Sequence, residues 1–182
     1  MIQNKVRIIG GVWRSCSISF PDNADLRPTP DRVRETLFNW LGQDLSGKTC
    51  LDLFAGSGAL GFEAASRGAA RVVMVETSPR VLQSLQASAQ KLGAKQIELV
   101  AGDALKFMAS DRRQFDVIFL DPPYRLGLLL ELLSLLPSHL AEGGMVYAEG
   151  ERLTEPGAGW LVWRSGRAGK VCYQLLKSES HG

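Results

Sequence analysis

The chain has 182 residues, of which 45% are hydrophobic and 22% are charged, and this balance predicts a soluble globular protein with a full core. A net charge of +2 is too small to indicate nucleic-acid binding by itself. Three scattered cysteines and two histidines argue against a disulfide framework and against a zinc site, and they favour a cytoplasmic location. No signal peptide is visible, and the longest apolar stretch, residues 126–136, is too short to span a bilayer, so we expect no membrane and no metal.

Residues 1–45 are expected to form an extension, consisting of an arm and a helix, to the main unit at 46–182. Two β-type stretches at 6–9 and 17–20 flank a Gly-Gly turn, which predicts a β-hairpin. The dipeptide Thr29-Pro30 predicts a helix N-cap followed by proline at the first helical position. Apolar residues at helical spacing follow it.

From residue 49 onward, short apolar strands alternate with helices. The predicted strands lie at 49–54, 72–75, 97–101, 117–120 and 145–148, and the predicted helices lie at 59–67, 79–92 and 126–136. Two further strands, at 160–164 and 171–176, have no helix between them and have to pair as an antiparallel hairpin. A parallel sheet that ends in such a hairpin predicts an α/β, seven-stranded, Rossmann-like class I S-adenosylmethionine-dependent methyltransferase fold with a small N-terminal extension.

A glycine loop follows the first buried strand. Gly56, Gly58 and Gly61 have the G-x-G-x-x-G spacing between a strand and a helix, and this spacing lets a cofactor lie against bare backbone. Glu76 ends the next strand about twenty residues later, where a carboxylate can hold a ribose diol. These features fit NAD and S-adenosylmethionine equally.

Two further acids favour S-adenosylmethionine as the cofactor. Asp52 lies before the turn, where it would repel a pyrophosphate but can bind the ammonium group of a methionine moiety. Asp103 follows the third strand, where it can bind the amino group of adenine. Asp52 fits equally well as an anion at a helix N-terminus. An NAD-dependent oxidoreductase remains an alternative that Asp52 and the terminal hairpin disfavour. The predicted cofactor-binding residues are Asp52, Phe54, Ala55, Gly56, Ser57, Gly58, Glu76, Asp103 and Ala104.

The motif Asp121-Pro122-Pro123-Tyr124 follows the fourth predicted strand. An exocyclic base amine is a poor nucleophile, because its lone pair is delocalised into the ring. Its methylation needs acceptors that hold the N–H bonds and stabilise the developing positive charge. We expect the Asp121 carboxylate and the Pro122 carbonyl to be these acceptors, with Pro123 stiffening the backbone and Tyr124 stacking on an unstacked base.

The arginines of the first 35 residues are the predicted RNA contacts, because they lie close to Trp13 and to glycines. Arg32 and Arg34 fall on different faces of the predicted helix, so at least one of them is expected to be merely solvated. A second basic cluster, at 164–170 near Trp163, suits phosphate contact as well as it suits a solvated face. The predicted RNA-binding residues are Arg7, Arg14, Arg27, Arg32 and Arg34.

Several of these segments together resemble one family. They are Arg7-Ile8-Ile9-Gly10-Gly11, Arg27-Pro28-Thr29-Pro30, Arg32-Val33-Arg34-Glu35, the glycine loop and the Asp121-Pro122-Pro123-Tyr124 motif. In these segments the chain resembles the RsmD family of bacterial 16S ribosomal RNA guanine-N2 methyltransferases, and Arg27-Pro28-Thr29-Pro30 is the more specific part of the resemblance.

The resemblance implies methylation of one guanine in small-subunit ribosomal RNA, within an assembled or partly assembled small ribosomal subunit. We expect the protein to be a monomer. Two alternatives stay open: adenine-N6 methylation of DNA or RNA, and a catalytically silent RNA-binding factor. The extension leaves no room for a DNA-recognition domain, and the intact Asp121 argues against a silent factor.

Overall fold

The computed structural model describes residues 3–22, 26–122, 128–151 and 155–179. Within these ranges the strands are β1 Gln3–Arg7, β2 Ser17–Pro21, β3 Thr49–Asp52, β4 Arg71–Glu76, β5 Ile97–Ala101, β6 Phe115–Leu120, β7 Leu140–Gly150, β8 Trp160–Ala168 and β9 Val171–Ser178. The helices are α1 Asp31–Leu41, α2 Ala59–Ser66, α3 Pro79–Leu92, α4 Ala104–Ser110 and α5 Leu129–Leu135, and a 3₁₀ turn at Leu136–His139 follows α5. Among these described helices, none is long and apolar enough to cross a bilayer.

Seven strands form the central sheet, in the order β5-β4-β3-β6-β7-β9-β8. The strands from β3 to β7 are parallel to one another, whereas β9 runs antiparallel to β7 and β8 runs antiparallel to β9. This arrangement confirms the predicted seven-stranded α/β sheet and its terminal antiparallel hairpin.

Both faces of the central parallel strands β3, β4 and β6 are largely buried, which explains why their sequences are mainly apolar. In β4, Val72 and Met74 belong to the core on the side of α1, α2 and α3. Val73 and Val75 belong to the core on the side of α4 and α5. Alternate side chains of one strand therefore support two layers of helices, as in a doubly wound sheet.

The functional edge of this sheet follows from the strand order. The chain moves outward from β3 to β4 and β5 and then returns to the other side of β3 at β6. The loops after β3 and β6 therefore leave the sheet at a topological switch point, where open α/β sheets bind their ligands. The carboxyl edge is the edge at which β3, β4, β5, β6 and β7 end, at Asp52, Glu76, Ala101, Leu120 and Gly150. The opposite edge is the amino edge.

The N-terminal arm is an antiparallel hairpin of β1 and β2, as predicted, with Val6 opposite Ile18. Its apolar side chains Val6, Ile8, Ile18 and Phe20 are buried in the same core as α2 and α3. Residues from both sides of the predicted boundary after residue 45 thus share one core. The division of the chain at this point stays a prediction.

The start of α1 differs from the prediction. The helix begins at Asp31 and is preceded by Pro30, and no side chain caps it. Thr29 is therefore not an N-cap, because its hydroxyl donates instead to Oε2 of Glu149, at 2.9 Å, near the end of β7. The prediction for Thr29 was wrong, and the observed bond ties the N-terminal segment to the carboxyl edge.

Other elements also differ from the sequence prediction. Helix α4 was not predicted; it is only seven residues long and is capped by the side chain of Asp103. Strand β7 begins at Leu140, five residues before the predicted start. The predicted helix at 126–136 corresponds to α5 and the turn after it, although residues 126 and 127 lie outside the described ranges.

Candidate active site

The glycine loop between β3 and α2 has the conformation that its sequence predicted. Gly56 and Gly58 have positive φ angles of 52° and 86°. A Cβ atom at Gly58 would lie 2.6 Å from the ring of Phe62, so only glycine fits there. A Cβ atom at Gly56 would meet nothing closer than 3.8 Å, where it would approach Leu26. The Gly56 position therefore lies in ordinary van der Waals contact with Leu26, and its positive φ is what favours glycine there.

Glu76 holds this loop from the end of β4. Its Oε1 accepts a hydrogen bond from the backbone N–H of Gly56 at 3.0 Å, and its Oε2 accepts one from Ser78 at 2.9 Å. Ser78 in turn caps α3. Each carboxylate oxygen can accept a second hydrogen bond, so the half-buried Glu76 retains acceptor capacity for hydroxyl groups.

Asp52 is buried at the end of β3, with 2% of its surface exposed. Its pKa is raised to about 7, chiefly by burial and also by the negative charge of Glu76, against hydrogen bonds from the backbone of Gly61 and Phe54 that lower it. Gly61 lies in the first turn of α2, so Asp52 does act as an anion at a helix N-terminus, the alternative that the sequence left open. A cation bound beside Asp52 would favour its ionised form.

The remaining predicted cofactor residues lie around the same loop. Asp103 follows β5, is exposed, and accepts a hydrogen bond from the backbone of Lys106 at 3.1 Å as the cap of α4. Ala104 is buried behind it. The structure therefore brings the nine predicted cofactor residues to the ends of β3, β4 and β5. Phe54, Ala55, Ser57 and Gly58 complete this set in the glycine loop.

Asp121 follows β6 at the switch point. Burial raises the pKa of its carboxyl group well above the usual range, and the negative charges of Glu149 and Asp52 raise it further. Pro122, the next residue, is buried. Pro123 and Tyr124 of the predicted motif lie outside the described residues.

Glu149 is a site residue that our sequence reasoning missed. It is 6% exposed, and its Oε2 accepts hydrogen bonds from the hydroxyls of Thr29, at 2.9 Å, and Tyr147, at 2.7 Å. Burial raises its pKa, although the two hydrogen bonds oppose this. Its position just before the end of β7 is the signal that could have found it, because the same criterion identified Asp52 and Glu76.

The carboxyl edge therefore brings together carboxyl groups whose ionisation is costly. Asp52, Asp121 and Glu149 follow or end three neighbouring strands, β3, β6 and β7, and two of them raise the pKa of the third. Such a site suits a ligand with positive charge, or a reaction in which positive charge develops on a bound atom. Thr29 extends the site to the N-terminal segment.

Arg34 does not belong to the RNA-binding surface, contrary to the prediction. It is 0% exposed, and its guanidinium donates to Glu63 at 3.1 Å and to the carbonyl oxygens of Thr29 and Arg7 at 3.0 and 2.9 Å. It also forms an ion pair with Asp31. The buried carboxylate of Glu63 requires a counter-charge, and Arg34 on α1 supplies it.

The other four predicted arginines, Arg7, Arg14, Arg27 and Arg32, are exposed. Arg14 borders a polar groove of about 480 Å³ between the arm and α1. These side chains are accessible to a large anionic partner, and their role as RNA contacts stays a prediction.

The fold and the site together define a Rossmann-like class I methyltransferase: a parallel sheet with a terminal antiparallel hairpin, a glycine loop after its first strand, and acids at the strand ends. The family described as Conserved hypothetical protein 95 matches residues 6–177. The chain belongs to this family, the RsmD family of methyltransferases, and this confirms the resemblance found in the sequence motifs.

Individual relatives support the same assignment. The ribosomal RNA small subunit methyltransferase D of Escherichia coli is 43% identical over 98% of this chain and 92% of the relative. The protein of the same name from Haemophilus influenzae is 38% identical over 97% of this chain and 95% of the relative. The solved structure of yhhF from Escherichia coli, assigned as a methyltransferase, is 42% identical, has a TM-score of 0.87 and covers 97% of this chain and 99% of its own.

Proposed function

We propose that this methyltransferase transfers the methyl group of S-adenosylmethionine to the exocyclic N2 amine of one guanine in small-subunit ribosomal RNA. The observation that carries the proposal is the meeting of the glycine loop and Asp121 at the switch point of the sheet. Relatives 43% and 38% identical are named for small-subunit ribosomal RNA, which supports this substrate. The choice of guanine N2 rests on the resemblance in Arg27-Pro28-Thr29-Pro30.

The residues at the ends of β3, β4 and β5 fit this cofactor, which would supply an electrophilic methyl group on a sulfonium. Gly56 and Gly58, both at positive φ, have no side chains to cover the loop backbone against which the cofactor would lie. Glu76 has lone pairs left for the two ribose hydroxyls after its bonds to the loop and α3. Asp52 binds the ammonium group, whose charge lowers the pKa of this carboxyl from its raised value. Asp103 accepts from the amino group of adenine.

Asp121 and Pro122 act on the target amine. The Asp121 carboxylate accepts one N–H and the Pro122 carbonyl accepts the other, which turns the nitrogen lone pair toward the methyl group. The positive charge of the bound cofactor would lower the raised pKa of Asp121 and so favour its carboxylate, which can then accept the proton that the methylated nitrogen releases. The charge of Glu149 adds to the negative potential that stabilises this nitrogen. Stacking of the base on Tyr124 remains a prediction from the motif.

The exposed arginines of the N-terminal segment bind the RNA through its phosphates. Arg7, Arg14, Arg27 and Arg32 supply positive charge on the surface. A base in a ribosomal loop is partly unstacked already, so its transfer into the site avoids much of the unpairing cost. We therefore take an assembled or partly assembled small subunit in the cytoplasm as the substrate and a monomer as the enzyme.

The test is methylation of small ribosomal subunits that lack the modification. The purified protein and labelled S-adenosylmethionine are incubated with these particles, the RNA is digested, and the labelled nucleoside is identified, with the Asp121→Ala protein as the control. We expect labelled N2-methylguanosine. Labelled N6-methyladenosine would overturn the choice of base, and no label in any RNA or DNA would overturn the enzymatic proposal.

A further inference from the structure

The hairpin of β8 and β9 is strongly basic. Between residues 160 and 178 it contains no Asp or Glu. Its basic residues are Arg164, Arg167, Lys170 and Lys177. The first three are exposed and Lys177 is half-buried. Strand β8 is the outermost strand of the sheet at this end. The hairpin thus presents an unbalanced positive surface, which we term the basic hairpin face.

The turn of this hairpin lies at the carboxyl edge, beside the site. Gly150, near Glu149 at the end of β7, is in register with Cys172, which is in register with Arg167. Since neighbouring strands are about 4.8 Å apart, Arg167 lies about 10 Å from Gly150. Lys170 follows in the same turn. A strand of RNA whose base enters at Asp121 would therefore pass within reach of both side chains.

Farther along the face, Trp163 holds two cations in place. The guanidinium carbon of Arg164 lies 4.2 Å from the centroid of its ring, and Nζ of Lys177 lies 4.0 Å from it. Arg164 also donates to the carbonyl of Trp163 at 3.2 Å. Cation–π contacts of this kind restrict the long side chains and so reduce the entropy lost on binding an anion. Because these two cations cover the ring of Trp163, this part of the face suits contact with phosphates better than stacking of a base.

The basic hairpin face and the N-terminal arm lie on different parts of the molecule. The arm packs on α2 and α3, where Ile9 donates to Glu63 at 2.9 Å and Lys91 donates to the carbonyl of Ser17 at 3.2 Å. These helices accompany β3, β4 and β5, whereas β8 and β9 lie at the other end of the sheet. The switch point with Asp121 lies between the two basic surfaces.

We propose that the basic hairpin face binds the phosphate backbone of the substrate RNA on the side of the site away from the arm. The proposal rests on the proposed function, because it assumes that RNA is the substrate. Charge complementarity selects RNA over a protein: the exposed surface carries several cations along a single strand and its turn, and phosphates follow one another along a nucleic-acid strand. Leu161 and Val162, exposed on the same strand, would serve a protein partner instead.

The experiment removes two charges from the turn and compares this with removal of two charges from the opposite edge. The test variant is Arg167→Gln with Lys170→Gln. The control is Lys48→Gln with Lys95→Gln, which removes two exposed lysines that precede β3 and β5 at the amino edge. For each full-length protein we would measure the Kd for purified small-subunit ribosomal RNA across a range of KCl concentrations, together with methyl transfer to the particles.

The test variant is expected to bind the RNA roughly tenfold more weakly, and the slope of log Kd against log salt should fall by about 1.4–1.8, which is 0.7–0.9 for each lost phosphate contact. The control variant should match the wild type. A test variant with unchanged Kd and slope would overturn the proposal, as would an equal loss in the control. Slower methyl transfer to the particles, with an unchanged Kd for the RNA and an unchanged slope, would also overturn it and identify a protein contact. If the wild type methylated no RNA, the proposed function would fail, while the binding slopes would still decide whether the hairpin contacts RNA.

Discussion

Two groups of buried acidic side chains, both within the described residues, have opposite surroundings. In the first, Glu63 of α2 forms ion pairs with Arg34 and Arg67 at 3.1 and 2.9 Å. In the second, at the carboxyl edge, Asp121 follows β6, and among the described residues the charged groups that shift its pKa are both carboxylates, Glu149 and Asp52. The charge of the first cluster is neutralised within the protein, whereas the second cluster holds carboxyl groups whose pKa values are raised because no cation among the described residues offsets their ionisation.

This difference separates structure from function. The Glu63 carboxylate also accepts the backbone N–H groups of Ile9 and Gly10 at 2.9 Å each, so its charge fixes the arm on α2. A paired and fully hydrogen-bonded ion has no capacity left for a substrate. Ionisation of the acids at the carboxyl edge is costly in the unliganded protein, and a cationic ligand or a developing positive charge can offset this cost. Buried charge that the fold does not compensate thus indicates the site.

The largest expected effect on stability comes from Glu63→Ala. The substitution removes the buried carboxylate that Arg34 and Arg67 share, and we expect the free energy of unfolding to fall by about 3–5 kcal/mol in denaturant titrations. Glu98→Ala is the matched control, since Glu98 pairs with Arg71 and Arg113 at the surface and should change stability by less than about 1 kcal/mol. Equal losses of stability in the two variants would contradict the structural role of the buried Glu63 carboxylate.

Asp52→Asn should change stability in the opposite direction. Because the pKa of Asp52 is raised from 3.8 to about 7, the folded state holds this proton more tightly than the unfolded chain. Its contribution to stability is full below about pH 4 and is lost as the pH rises through about 7. At pH 8 the Asn variant should therefore be more stable than the wild type, by on the order of 2–4 kcal/mol, and bind the cofactor more weakly. Denaturant titrations at pH 4 and pH 8 check this, and an equal difference at both pH values would contradict it.

Glu76→Ala tests whether the carboxylate at the end of β4, which already accepts two backbone hydrogen bonds, also binds the cofactor. Loss of the acceptor for a ribose diol should weaken S-adenosylmethionine binding by about 1–3 kcal/mol in calorimetry. NAD, titrated in parallel, should give no binding to the wild type. Tight NAD binding without an S-adenosylmethionine signal would contradict the cofactor assignment.

The exposed arginines of the arm should give the smallest effect and only on RNA. Arg7→Gln with Arg14→Gln should weaken RNA binding by about 1 kcal/mol and flatten its salt dependence, because phosphate contacts are lost. Arg34→Gln serves as the contrast: it should lower the free energy of unfolding and leave the salt dependence unchanged. If the Arg34 variant also showed a flatter salt dependence of RNA binding, the burial of an arginine would not tell whether it contacts RNA.

Much of the fold could be predicted from the sequence, because its strands are buried on both faces. The continuous apolar run in β4 and the turn signals around it are local features, as is the glycine spacing of Gly56, Gly58 and Gly61. Helix α4 escaped prediction because seven residues give too few turns for a periodic pattern.

The parts of the site that the sequence did not predict depend on long-range contacts. Glu149 is bonded to Thr29, 120 residues earlier in the chain, and no local pattern reports that pairing. The sequence placed Arg32 and Arg34 on different helix faces, but only the packing of α1 against α2 determines that Arg34 faces the buried Glu63. The local sequence pattern shows which residues share a face of a helix, whereas tertiary packing determines which residues that face contacts.

The central claim is that the acids of the carboxyl edge, Asp121 above all, act in catalysis. Its most direct test is the single-turnover rate of methyl transfer by Asp121→Ala, measured together with the cofactor affinity and the free energy of unfolding of this variant. Removal of a group that stabilises developing charge typically slows the reaction about a hundredfold or more. We predict that loss with cofactor affinity close to that of the wild type and with stability no lower than that of the wild type, because the variant removes a buried carboxyl group whose ionisation is costly. A near-normal single-turnover rate would contradict the account, and so would a slow rate that merely follows a loss of folded protein.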